Sequence, residues 1–253
     1  MDPTGIARRI VTFAGVASLL LAGAASAAPA STDEPALARL VRDALAGAAP
    51  GTVTVDEVFR RIRLALRDRS VLTRLPPNEQ AVAVDTRGHI AAATEGTRTT
   101  VNVDLAAGRD SVVLIHNHPG GRGLSPADIA QLTDPSVLGV IAVGHDRSVY
   151  AASLGRGFEG VSYPTFMRFV SAAGADTRRR ISGELSLAGE VYESHLEHMV
   201  SSALGQAGMI RYQSVLGDLR RKSFDLFGNV FDRIIEDVAR EMKADLKRAR
   251  ARH

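Results

Sequence analysis

Apolar residues recur three and four positions apart at Ala36-Leu37, Leu40-Val41 and Ala44-Leu45, which predicts a first helix. After the break at Gly51 a second amphipathic stretch, residues 55–72, puts Val58, Ile62 and Leu66 on one face and a run of arginines, read as solvated surface, on the other. From Leu75-Pro76-Pro77 the period changes. Residues 81–84 form a short apolar run stopped by Asp85-Thr86-Arg87-Gly88, and residues 89–93 follow, a hairpin pattern. Residues 99–103, 111–115, 137–143 and 148–152 read as further strands, with a helix starting at Ser125. Strands interleaved with helices predict an α/β (α+β) domain over residues 53–155, a mixed sheet flanked by helices. Beyond Gly155 the pattern is helical to the end, over 163–173, 184–204 and 223–249. Phe227, Phe231, Ile234, Val238 and Met242 make one stripe on the last helix. Residues 156–253 are therefore expected to be an α-helical C-terminal region whose stripe packs on the other helices or on a second copy, a route to homo-oligomers.

The first residues have a different character. Arg8-Arg9 precedes an apolar run, residues 10–25, that ends in Ala25-Ser26-Ala27. A positive start, an apolar stretch and an A-x-A site predict a secretory signal peptide over residues 1–27, and hence an exported protein, periplasmic or secreted. Left uncleaved, the run would serve as an inner-membrane anchor. Residues 28–52 then read as a linker and a short helix.

With 253 residues, 45% hydrophobic and 23% charged, the chain has ordinary globular composition and is long enough for one sizeable domain with an appendage. It has no Cys, which excludes disulfides, thiolate zinc sites and Cys nucleophiles, so any metal must be held by His, Asp or Glu. The net charge is +3, and aromatics amount to 5% with no Trp, so nucleic acid is not an indicated partner.

One segment gathers metal-competent groups: His116-Asn117-His118-Pro119-Gly120-Gly121-Arg122-Gly123-Leu124-Ser125-Pro126-Ala127-Asp128. Side chains alternate along a strand, so His116 and His118 project to one face at the C-terminal end of the 111–115 strand, close enough to share an ion. Pro119 ends the ladder and the glycines let the chain double back. Ser125-Pro126-Ala127-Asp128 has Ser at the N-cap, Pro at N1 and an acid at N3, a helix start that can return a carboxylate over the two imidazoles. Two His and one carboxylate leave a divalent ion an open position for water, as in a hydrolytic zinc site. Taken alone, Asp128 would be a capping residue. His195 and His198, one helical turn apart without a third ligand, are expected on a solvated helix face, and His89 and His145 at the surface or rim.

The segment resembles the motif of the JAB/MPN (JAMM) metalloproteases, in which H-x-H-P is followed by a loop and S-x-x-D; the His-Asn-His-Pro form is similar to the RadC-like and the phage- and toxin-associated bacterial branches. The resemblance covers about residues 75–155. It implies that His116, His118 and Asp128 bind Zn2+, that Ser125 helps hold the tetrahedral intermediate, and that a Glu from an earlier strand is the general base. Glu79, before the 81–84 strand, matches that position, and Glu95 is the rival. The loop from Pro119 to Leu124 has six residues, one fewer than the family's usual pattern. The implied activity is zinc-dependent cleavage of a peptide or isopeptide bond in a protein or peptide substrate. The alternatives are a non-catalytic binding or assembly module of the same fold, and a secreted effector or toxin-associated processing domain. A deaminase would need a Cys pair that this chain lacks, and the letters His-Asn-His do not make an HNH nuclease, whose residues are spread over a longer unit.

Overall fold

The computed structural model describes residues 8–14, 34–49, 51, 53–68, 75–106, 111–158, 162–184 and 190–250. The chain is a mixed α+β fold. Strands β2 (Gln80–Asp85), β3 (Ile90–Glu95), β5 (Val112–His118), β6 (Val137–Gly144), β7 (Val149–Leu154) and β8 (Ile210–Val215) form one six-stranded sheet in the order β3-β2-β5-β6-β7-β8. Only β5 and β6 run parallel; the other neighbours are antiparallel. A parallel pair needs a crossover. Here it is the loop after His118, helix α3 (Pro126–Ala130) and a 3-10 turn at Gln131–Thr133.

The middle strands are buried on both faces, which is why they read as continuous apolar runs rather than alternating ones. One face carries Val82, Val84, Val113, Ile115, Ile141 and Val143 and packs against α1 (Ala36–Leu45) and α2 (Val55–Ala65). Thr54 caps α2 by accepting from the Glu57 amide. The arginine face of α2 is largely exposed, with Arg60 and Arg61 paired to Glu57. The opposite sheet face carries Ala81, Ala83, Leu114, Val140 and Ala142, under α4 (Tyr163–Gly183), α5 (Glu190–Gln206), α7 (Gly228–Arg250) and β4 (Thr100–Ala106). A short helix α6 (Asp218–Leu226) joins β8 to α7.

Two expectations are corrected. The C-terminal region is not wholly helical: β8 lies antiparallel to β7 and extends the sheet, and its side chains share a core with residues before Gly155. The single long last helix is two, because the chain turns at Phe227, where α6 ends and α7 begins at Gly228. The apolar stripe of α7 is spent inside the molecule: Phe231, Ile234, Val238 and Met242 are buried. Phe231 lies at the centre of an aromatic group, with ring centroids 4.9 Å from Phe224 and 5.4 Å from His195. We expect Phe231→Ala to cost about 3–5 kcal/mol. Urea unfolding followed by circular dichroism would measure it, and a loss below 1 kcal/mol would show that α7 is not part of this core.

Part of the segment read as a leader is strand β1 (Arg8–Ala14), antiparallel to β4. The rest of that expectation, residues 1–7 and 15–27, lies outside the described residues, as does the start of the linker. No helix among the described residues is long and apolar enough to cross a membrane.

Candidate metal centre

β5 sits at the centre of the sheet and all seven of its residues are buried. Its alternation sends Val112 and Leu114 to the face under the C-terminal helices and Val113 and Ile115 to the face under α1 and α2. His116 and His118 continue the first series and Asn117 the second. The strand ends at Pro119, and Gly121, at φ +66°, turns the loop in the left-handed region that glycine tolerates. Ser125 then caps α3: its Oγ accepts from the Asp128 amide at 3.2 Å, and Asp128 Oδ2 accepts from the Ser125 amide at 2.6 Å. This reciprocal cap fixes the Asp128 carboxylate with Oδ1 left over, buried and without a hydrogen bond.

His116 Nε2 and His118 Nε2 are 2.8 Å apart, and Asp128 lies 3.4 Å from the first through Oδ1 and 3.6 Å from the second through Oδ2. These three side chains are a metal-competent group among the described residues, with ligand atoms within 4.8 Å of one another. For zinc bonds of about 2.0–2.1 Å, a tetrahedron has edges of about 3.3 Å, so the three separations bracket what one ion requires. His118 Nδ1 is 3.0 Å from the Arg122 carbonyl, which can only accept; Nδ1 therefore donates to it, which leaves Nε2 as the ring nitrogen turned toward the group. Burial pushes the Asp128 carboxyl up, but His116, His118 and the Ser125 amide outweigh it and hold the group below its ordinary value. The residues fit a divalent ion bound by nitrogen and oxygen, with no thiolate in the chain to compete.

Glu79 stands just before β2, 4% exposed. Its backbone bridges Thr97 and Gly96, and its Oε2 is buried without a hydrogen bond. Burial raises its carboxyl to about 7; His118 pulls the other way and Asp128 adds to the rise. The residues on either side of Glu79 are tied to β5 by Asn117, whose Oδ1 accepts from the Gln80 amide at 2.6 Å and whose Nδ2 donates to the Asn78 carbonyl at 3.1 Å. The middle residue of His-Asn-His thus fixes the strand entry that carries Glu79. Glu95 is exposed and bonded to Asn78 and Gln80. Ser125 is 2% exposed, and while its Oγ accepts from Asp128 its hydroxyl proton remains free to donate. The structure brings Glu79, His116, His118, Ser125 and Asp128 into one region.

His195 and His198 are not on a solvated face. They are 0% and 7% exposed, because α5 is enclosed by β8, α6 and α7. His195 stacks near Phe224 and Phe231 and is 3.1 Å from Ser223 Oγ; His198 Nδ1 is 2.9 Å from the Tyr212 hydroxyl. Burial holds both rings at about 4, so both are neutral at pH 7. His89 is exposed beside Asp85 and His145 is half-buried against Asn117.

Sequence reading missed the layer that α5 and α6 add over the loop between His118 and Asp128. A Cβ on Gly123 would lie 2.8 Å from the His198 amide nitrogen and 3.2 Å from Glu197 Cβ, so this glycine is what lets α5 rest on the loop between His118 and Asp128. Arg220 of α6 reaches back to Asp146 at 2.8 Å, to the Gly120 carbonyl at 2.9 Å and to the Ser194 carbonyl. Tyr150 donates to the Gly121 carbonyl at 3.0 Å. The only sequence signal for this layer is the pair of imidazoles around Glu197, which reads equally well as a wet face. Comparison with known proteins adds no identity: no family model, no curated protein and no solved structure matches the chain.

Proposed function

We propose that the chain is a zinc-dependent hydrolase that cleaves a peptide or isopeptide bond in a protein or peptide substrate. The observation that carries this reading is the convergence of His116 Nε2, His118 Nε2 and Asp128, with His118 held by the Arg122 carbonyl and Asp128 by the Ser125 amide, beside the buried carboxyl of Glu79. Zinc held by His116, His118 and Asp128 would supply a water whose pKa is lowered toward ~7 and would polarise the scissile carbonyl. Glu79 takes the proton of the attacking water and returns it to the leaving amine. Ser125 turns its hydroxyl proton to the oxyanion as negative charge develops. The group lies at the C-terminal end of β5, beside its parallel neighbour β6, the end of the strands at which open α/β sheets place ligands.

A second reading, a non-catalytic assembly module, is favoured by the cover: His116 is 0% and Asp128 1% exposed beneath the loop on which α5 rests. Under the first reading α5 and α6 must move aside for a polypeptide to enter. Export, in the periplasm or beyond, belongs to the same proposal and rests on the apolar run after Arg8-Arg9.

Elemental analysis of the purified full-length chain tests the metal directly. About one zinc per chain is expected, falling to near zero in His118→Ala. Zinc that survives in His118→Ala, or none after reconstitution of the wild type, would overturn the hydrolase reading.

A further inference from the structure

The C-terminal region places a buried acid over the loop between His118 and Asp128. Glu197 of α5 is 8% exposed, and its Oε2 is buried with no hydrogen-bond donor. A buried carboxylate oxygen left without a donor is costly, and its persistence calls for a compensating charge. Burial raises the Glu197 carboxyl to about 7; the charges that act on it are His118, Arg122 and Arg220, which favour its ionised form, and Asp128, which opposes it. Arg220 is already engaged by Asp146 and two carbonyls. Arg122 is exposed, with its carbonyl bound to His118. The backbone of α5 at Glu197 and His198 rests on Gly123, midway along the loop whose ends supply His118 and Asp128.

We propose that Glu197 is a working part of the metal centre, a carboxylate that faces the His116–His118–Asp128 group from α5 and balances the charge of a bound divalent cation from outside the ligand set. This rests on the metal-centre reading above. Asp128 offsets one of the cation's two charges and Glu197 the second, which leaves Glu79 to gain and lose a proton without changing how firmly the ion is held. Glu197 is a positioning residue here: it acts on the ion's charge and need not touch substrate.

The test is zinc affinity, measured on the full-length chain by competition with a chromophoric chelator. Glu197→Gln keeps the shape and removes the charge; it is expected to weaken zinc binding by about 10-fold or more, in the range seen when the partners around a metal's ligands are removed. Glu197→Asp, which restores the charge, should recover part of that loss. The metal-free Glu197→Gln protein should melt no lower than metal-free wild type, since it no longer buries a carboxyl. An affinity within twofold of wild type in Glu197→Gln, while His118→Ala loses zinc, would overturn the role of Glu197 and leave the metal site standing. Equal losses in Glu197→Gln and Glu197→Asp would reduce it to packing and overturn it too. Unchanged zinc binding in His118→Ala would remove the metal site and this proposal with it.

Discussion

Glu79→Gln is expected to lower hydrolysis by about 10²–10⁴-fold, the usual contribution of a general base, while zinc content stays near one per chain. The readout is turnover of an internally quenched peptide library and of its counterpart linked through lysine ε-amines. Gln has the size and hydrogen-bonding outline of Glu but cannot take a proton, and the backbone that presents residue 79 is held independently by Asn117, Thr97 and Gly96. The side chain should therefore stay in place while the chemistry stops. The same substitution has a signature that needs no substrate. With zinc removed, the carboxyl titrates at about 7 in the folded chain against 4.5 in the unfolded one. Between those values the unfolded state has already lost the proton that the folded state keeps, so wild type loses stability as pH rises from about 4.5 to 7. Gln does not titrate. Metal-free Glu79→Gln should thus gain on wild type in urea midpoint at pH 8 and show little of that gain at pH 4. Undiminished turnover in Glu79→Gln would move the base elsewhere, with Glu197, whose carboxyl burial also raises to about 7, the next carboxyl to test.

The parts of this architecture that could be read in the sequence are those whose local signal and tertiary environment agree. The helix at Ala36–Leu45 and the strands from β2 to β7 sit close to where periodicity places them, since each buries the face or faces that its pattern marks. Ser125-Pro126-Ala127-Asp128 is a complete cap in four letters, and the structure forms it. β8 was hidden because Ile210–Val215 follows a strong helix and has only an edge position, with one of its six residues fully buried. What makes it a strand is the free edge of β7, which no local pattern displays. Helix α4 runs to Gly183 beyond its apolar stretch because Arg180 is paired with Asp176, Asp237 and Glu241, partners up to 61 residues away. The burial of His195, Glu197 and His198 has the same origin. Their helix is enclosed on several sides, so it lacks the one-sided polarity by which an amphipathic helix is recognised. His116 and His118 were legible for the opposite reason: the apolar run of β5 leads directly into them, and a polar pair at the end of a buried strand must be matched by something.

Asp128 carries two duties at once, and substitutions that separate them give the other large effect. Its Oδ2 completes the cap of α3, a helix of five residues with little else to start it, and its Oδ1 faces His116. Asp128→Asn keeps an oxygen for the Ser125 amide and loses the charge; Asp128→Ala loses both. We expect zinc to fall to near zero in both variants, because two neutral imidazoles alone cannot complete the site. Stability should divide them: Ala loses about 1–2 kcal/mol for the cap, and Asn loses less. The folded-state carboxyl is held below its ordinary value by His116, His118 and the Ser125 amide against the effect of burial. Its contribution to stability is therefore present above the usual carboxylate range and disappears as pH falls through the lowered value. Acid unfolding of the metal-free wild type should begin at higher stability than that of Asp128→Ala and converge with it at low pH. Zinc bound stoichiometrically by Asp128→Ala would show that the third ligand is another carboxylate, and a common acid-unfolding profile would show that the reciprocal cap with Ser125 does not support the loop that brings Asp128 back to the histidines.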